Sequence, residues 1–226
     1  MNLYQTPDAE LLDGFTALDS CAVSDALDAV GLPAGLGGLR PMWGASAVVG
    51  FAVTVQVEPY QPGPAGPHIA ASAVAEAGPC DVMVIANHAR TDVSCWGGLL
   101  SLGAQVRGVR GVVVDGACRD VAEAQDLAFP VYARASVPAT ARGRLRQHST
   151  GEPIVIAGVA VEPGDVVVAD ATGVAFVPRA RAVEVLKAAT AVQGREQAIA
   201  ADLRAGVPLP QAMHDARLAG QHQVPR

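Results

Sequence analysis

The 226-residue chain is half hydrophobic and only 17% charged, a balance that excludes a disordered polypeptide and allows one large domain or two small ones. Its formal net charge of −6 excludes a general nucleic-acid-binding surface, because such surfaces draw their affinity from clustered cations. Of the sixteen Lys and Arg side chains only Lys187 is lysine, and it sits in the helical pattern VEVLKAATAV as a solubilising residue, which argues against imine catalysis.

The N-terminal MNLYQTPDAELLDG has neither a basic start nor a long apolar core, so no secretory signal is expected, and no apolar run reaches the length of a membrane span. Residues 8–30 read as helical, with DALDAVG closing on Gly31 as a C-terminal cap. SAVVGFAVTVQVEP (46–59) is valine-rich with partial alternation and predicts a strand ending at Pro59, followed by the loop QPGPAGP (61–67). HIAASAVAEAG reads as a helix, DVMVIA (81–86) as a strand, and NHARTDVSCWGG as a loop. A helix is expected to begin near Gly97 and Gly98 in GLLSLGAQVRG.

GVVVDG is a short, continuously apolar run, the pattern of a strand buried on both faces. RDVAEAQDLA predicts a helix and FPVYA a further strand, an alternation that favours parallel pairing through right-handed crossovers. After residue 134, RASVPATARGRLRQHSTGEP lacks a hydrophobic period and reads as a loop or arm. PIVIAGVAVEPGDVVVADATGVAFVP then reads as short hairpin strands turned at PGD and DATG. From Arg179 onward a long helical pattern runs with a potential interruption at Gly194, and a last short helix follows Pro208 and Pro210. With no internal repeat and no linker, residues 1–226 are expected to form one domain whose segment 179–226 is a C-terminal helical arm.

Arg119, Asp120 and Glu123 form R-D-x-x-E at the strand-to-helix junction. Asp120 as N-cap with Glu123 three residues later is a capping-box-like arrangement, but it leaves Arg119 unexplained. The C-terminal edge of strands in an α/β sheet is where ligands bind. A carboxylate there is suited to a hard divalent cation, and an arginine to a substrate carboxylate or enolate oxygen.

Gly97 and Gly98 open the preceding helix; they either relieve crowding or let a carboxylate approach the free N–H groups of its first turn. The five histidines, His68, His88, His148, His214 and His222, show no zinc-type spacing. The four cysteines, Cys21, Cys80, Cys95 and Cys118, show no CxxC, so reduced thiols in a cytoplasmic protein are expected. His88 reads as a loop histidine and Asp92 as a turn residue or an acid that supports the site's ligands from behind. Asp115, Asp165 and Asp170 read as turn formers. Arg134, Arg142, Arg144 and Arg146 read as a solvated or subunit-bridging basic run, with attraction of a multiply charged carboxylate as a lesser role.

GVVVDGACRDVAEAQDLAFPVYAR resembles the signature of the RraA-like proteins, which include the class II 4-hydroxy-4-methyl-2-oxoglutarate / 4-carboxy-4-hydroxy-2-oxoadipate aldolases. The aldolase pattern of a glycine, twenty residues, Arg-Asp, two residues and an acid is met by Gly98, Arg119, Asp120 and Glu123. VSDALDAVGL, GPCDVMVIA, WGGLLSLGA and GVAVEPGDVVVADATGVAFVP carry the resemblance along nearly the whole chain.

This resemblance implies a layered αββα sandwich, related to swivelling phosphohistidine-type domains. It also implies assembly as a homotrimer or a dimer of trimers, with sites between subunits. Asp120 would bind Mg2+ or Mn2+, Arg119 would contact the oxo acid, and the amides of Gly97, Gly98, Leu99 and Leu100 would bind its carboxylate. Glu196 resembles an acidic position that approaches the neighbouring subunit's site. Aldolase members often carry an acid at the position of Gly98, where this chain has glycine.

The expected activity is metal-dependent retro-aldol cleavage of a 4-hydroxy-2-oxo acid, with oxaloacetate decarboxylation through the same pyruvate enolate. Two competitors stand beside it: a non-catalytic regulator that binds a ribonuclease, and a diverged lyase acting on another oxo acid. Neither a nucleic-acid nor a membrane partner is expected.

Overall fold

The computed structural model describes residues 6–44, 47–62 and 68–214. The helical stretch at the start divides into α1 (Thr6–Thr16) and α2 (Ser20–Ala29), because Asp19 intervenes as an N-cap whose carboxylate accepts the Ala22 N–H at 2.7 Å. Gly31, at φ 75°, then ends α2 in the left-handed conformation that glycine adopts without steric cost.

Next come β1 (Arg40–Pro41), β2 (Val48–Pro59), α3 (Ala71–Glu76), β3 (Asp81–Trp96), α4 (Gly98–Val106), β4 (Gly111–Cys118), α5 (Val121–Asp126) and β5 (Val131–Ser136). The remainder comprises β6 (Leu145–Thr150), β7 (Ile154–Ile156), β8 (Val159–Val161), β9 (Val166–Ala169), β10 (Val174–Val177), α6 (Ala182–Arg204) and α7 (Leu209–Ala212). The loop expected at 61–67 falls mostly outside the described residues.

The main sheet runs β1-β5-β4-β3-β2-β9-β10, with β6 also paired to β2, and β7–β8 form a separate hairpin. Strands β2, β3, β4 and β5 are parallel neighbours, as expected when helices connect successive strands. Alternation along β3 and β4 buries both faces. Met83, Ile85, Val112 and Val114 pack with Trp96 and Phe129, while Val82, Val84 and Val113 pack with Ile154 and Ile156 of the hairpin. A third cluster joins Leu12, Phe15, Leu27 and Val185 of the terminal helices to Phe51 and Val166. The result is the layered α/β sandwich with a C-terminal helix. No described helix is long and apolar enough to cross a membrane.

Three local expectations are corrected. Residues 87–96, read as loop, extend β3, whose register with β4 shifts three times, first across the left-handed residues His88 and Ala89. In the bulged stretch residues 88–92 turn toward solvent while Asn87 and Ser94 stay buried, which erased the strand period. Residues 145–150, read as part of an arm, form β6 on β2, and its half-exposed side chains gave no apolar signal. Gly194 interrupts nothing, since α6 continues through it.

The aspartates expected at turns divide in the same way. Asp165 does hold a turn, accepting the N–H groups of Glu162 and Arg179 at 2.8 and 2.9 Å, and burial keeps its carboxyl above the usual range. For Asp170 burial acts in the same direction, but hydrogen bonds from Ser20, Thr172 and Gly173 outweigh it and hold the carboxyl low. Asp115 is no turn former: it lies within β4, buried, and ion-pairs with Arg134 of β5.

Candidate active site

The ends of β3 and β4 stay side by side because the Arg119 N–H donates to the Trp96 carbonyl at 2.9 Å, one residue beyond the last ladder pair. Asp120 then turns the chain into α5 with left-handed backbone, φ 57° and ψ 42°. That conformation costs a non-glycine residue roughly 1–2 kcal/mol, and Asp tolerates it better than most.

Asp120 occupies the N-cap position of α5, yet its side chain caps nothing there. Its Oδ2 instead accepts the Gly98 N–H at 3.0 Å, at the start of α4, and lies 3.2 Å from Arg119 Nε. The capping-box-like reading is therefore corrected. The carboxylate leaves its own helix for the neighbouring one, and Arg119, unexplained by capping, becomes its partner.

The two glycines are present for space. Gly97 has extended backbone that any residue adopts, but a Cβ on it would come within 2.8 Å of Asp120 Oδ2 and 3.0 Å of Arg119 Nε. A Cβ on Gly98 would overlap the Glu123 carboxylate and approach Asp120 Cβ at 3.3 Å. The starts of α4 and α5 thus face each other with both acids between them.

Gly98→Ala is accordingly expected to push Glu123 aside without unfolding the protein, since the obstructing atoms end an exposed, flexible side chain. The expected result is a melting temperature within about 2 °C of wild type and turnover lower by about tenfold or more. A variant with unchanged turnover would mean that the position of Glu123 over Gly98 is irrelevant.

The first-turn amides of a helix have no carbonyl one turn back to receive them. In α4 the cap residue, Gly97, offers them no side chain, and Asp120 engages that of Gly98, which leaves Leu99 and Leu100 to meet an anion. Leu99 is 84% exposed, whereas Leu100 packs partly against the core.

The donor set fits a small hard cation. Asp120 and Glu123 supply carboxylate oxygens, and among the described residues no group of three His, Cys, Asp or Glu gathers into a closed cage. Magnesium-type ions are held by one or two carboxylates and keep several waters for exchange with substrate oxygens. The adjacent thiols offer no soft alternative. Burial pushes Cys118 up to about 11, and burial together with Cys118 pushes Cys95 up to about 12, so both are protonated near neutrality.

The other candidates lie elsewhere. Glu196 is exposed on α6, which packs on α1 and α2, and nothing within one chain brings it to Asp120. His88 meets Gln56 at 3.2 Å, and Asp92 binds Arg90, whose hydrogen bond holds its carboxyl low. Of the basic run, Arg134 binds Asp115, Arg146 binds Glu58, and Arg144 donates to the Thr140 carbonyl at 3.2 Å. Trp96 and Ser101, which sequence reasoning passed over, hydrogen-bond side chain to side chain beneath Gly97. A five-residue spacing across a strand-to-helix turn carries no periodic signal.

A family model described as "RraA-like: Aldolase/RraA" matches residues 20–176. Protein DlpA of Legionella pneumophila is 32% identical over 205 residues, covering 91% of this chain and 33% of its own, so the chain spans a third of that relative's length. A Halalkalibacterium halodurans protein named "Putative 4-hydroxy-4-methyl-2-oxoglutarate aldolase" is 32% identical over 190 residues, 84% of this chain and 86% of its own. The crystal structure of an uncharacterized protein from Pseudomonas syringae pv. tomato superposes with a TM-score of 0.84 at 31% identity, covering 90% of this chain and 92% of the other.

Proposed function

The chain belongs to the RraA-like family, and on that premise we propose that it is a divalent-metal-dependent lyase cleaving a 4-hydroxy-2-oxo acid with release of pyruvate. The observation that carries this reading is the placement of Asp120. A carboxylate that abandons its own helix cap, at the cost of left-handed backbone, to stand with Arg119 and Glu123 at the uncapped start of α4 is built for a ligand.

Each group then has a chemical task. The Leu99 and Leu100 amides and the positive end of α4 hold the substrate carboxylate. Asp120, assisted by Glu123, would hold Mg2+ or Mn2+, which supplies Lewis-acid stabilisation of negative charge at the keto oxygen. Arg119 adds a fixed positive charge beside the same oxygen, where the enolate develops as the C3–C4 bond breaks. The Glu123 carboxylate stands in the room above Gly98 and is placed to take the proton released by the 4-hydroxyl and to return it to C3 of the enolate, which yields pyruvate. In aldolases with an acid at that position the side chain would enter the same space. Oxaloacetate decarboxylation generates the same enolate, with C4 leaving as CO2, and would use Asp120, Arg119 and the α4 amides but no proton transfer to Glu123.

Assembly belongs to this proposal. Leu99, Leu102 and Val106, spaced i, i+3 and i+7 on α4, are exposed beside the site. A homotrimer or hexamer would cover that stripe and offer Glu196 to a neighbour's site.

The experiment is pyruvate release from a panel of 4-hydroxy-2-oxo acids and oxaloacetate, before and after EDTA, with Mn2+ or Mg2+ added back. EDTA is expected to lower the rate by about a hundredfold or more, and either metal to restore it. Full activity in EDTA would overturn the metal role, and absence of pyruvate from every substrate would overturn the lyase. A stable ribonuclease complex from cell extract, without metal binding, would move the assignment to a regulator.

A further inference from the structure

Trp96 is held from two directions. Its carbonyl accepts the Arg119 N–H at 2.9 Å, and its indole Nε1–H donates to Ser101 Oγ at 2.9 Å. Ser101 is 0% exposed. Its hydroxyl donates to the Gly97 carbonyl at 3.3 Å, and its N–H reaches the same oxygen at 3.0 Å. Back-bonding to the carbonyl four residues earlier is ordinary for a helical serine, but here that carbonyl belongs to the cap residue, and the hydroxyl's acceptor side is filled by an indole. The ring itself is stacked on Phe129, centroids 6.2 Å apart at 15°.

A shape-matched apolar pair would fill this space without needing any polar partner. The chain instead buries two polar groups and spends both on the orientation of one peptide unit. That unit, Gly97–Gly98, carries the N–H given to Asp120, and it leads directly into the amides of Leu99 and Leu100. Trp96 therefore fixes Arg119 through its main chain and the glycine turn through its side chain.

We infer that Trp96 and Ser101 are positioning residues, acting through the Gly97 carbonyl to hold the α4 amides and Arg119 in register for an oxo-acid carboxylate. This rests on the lyase reading above. The sequence path is closed: Trp96 Nε1–H to Ser101 Oγ, and Ser101 Oγ–H to Gly97 O. Loss of either member leaves the Gly97 carbonyl more loosely held, with the Ser101 N–H still on it, and the defect falls on binding of the carboxylate more than on bond breaking.

The test compares wild type, Trp96→Phe, Ser101→Ala and the double variant, all with Mn2+, by calorimetric titration of pyruvate and by steady-state kinetics. Trp96→Phe keeps a ring on Phe129 but loses the donor and part of the buried volume, so its melting temperature is read beside its Kd. Each single variant should raise the pyruvate Kd and the substrate KM by about tenfold, the scale of one lost hydrogen bond, with kcat changed less than about threefold. The double should be no worse than Ser101→Ala, because the two act along one path.

A purely structural role would lower the melting temperature and the active fraction while leaving Kd and KM in place. That outcome, or single effects that multiply in the double, would overturn the inference while the lyase stands. A wild type that neither binds pyruvate nor releases it from any substrate would remove the lyase reading and this inference together.

Discussion

Asp120→Asn is expected to reduce pyruvate release by about a thousandfold, with the fold intact. Asparagine tolerates left-handed backbone, and its amide oxygen still accepts the Gly98 N–H, so only the charge is removed. Asp120→Ala should be equally inactive and should also lose about 1 kcal/mol of stability, because alanine suits that backbone poorly and leaves the Gly98 N–H unpaired. The comparison separates electrostatics from architecture: kcat/KM from pyruvate release reads the first, and thermal melting the second. If Asp120→Asn turns over within tenfold of wild type, the carboxylate neither holds a metal nor supports the reaction.

Arg134→Ala is expected to cost about 3 kcal/mol. Asp115 lies inside β4 with 3% exposure, ion-paired to the Arg134 Nε, and its other oxygen is 3.4 Å from the Ala157 N–H. Removing the arginine strands a buried carboxylate, whose desolvation then goes uncompensated. Because Arg134 is itself partly exposed, water will relieve some of the penalty, which places the value at the low end for a broken buried pair.

For a chain of this size that corresponds to a fall in melting temperature of roughly 10 °C. The double variant Asp115→Ala/Arg134→Ala should recover part of it, since neither charge is then left alone. A loss below about 1 kcal/mol in Arg134→Ala would show that the pair contributes only as a surface contact does.

These two residues mark how much of the molecule local sequence can express. Strand GVVVDG, the helix after Gly97, the hairpin at DATG, and the alternation that makes β2 to β5 parallel all follow from period and turn chemistry within a few residues, whereas PGD only carries the chain from β8 into β9, and the other hairpin, β7–β8, turns at Ala157 and Gly158. Asp115 sits beside Gly116 in what reads as a turn dipeptide, and nothing nearby announces that β5 carries a guanidinium opposite. The residues 87–96 and 145–150 were illegible for a related reason: bulged or half-exposed strands do not alternate, and their partners are distant in the chain.

The candidate site divides along the same line. The sequence by itself determined which side chains stand at the strand-to-helix junction, Arg119, Asp120 and Glu123, and that two glycines open the preceding helix. Only the tertiary structure decided where those groups point: Asp120 leaves its own helix for the Gly98 amide, Glu123 fills the volume above Gly98, and Trp96 braces the turn through Ser101. A cap is a local bargain between residues three apart, and sequence pattern records it. The direction of a carboxylate is set by competition between that cap and an uncapped helix start twenty-two residues away, which exists only once β3 and β4 lie side by side.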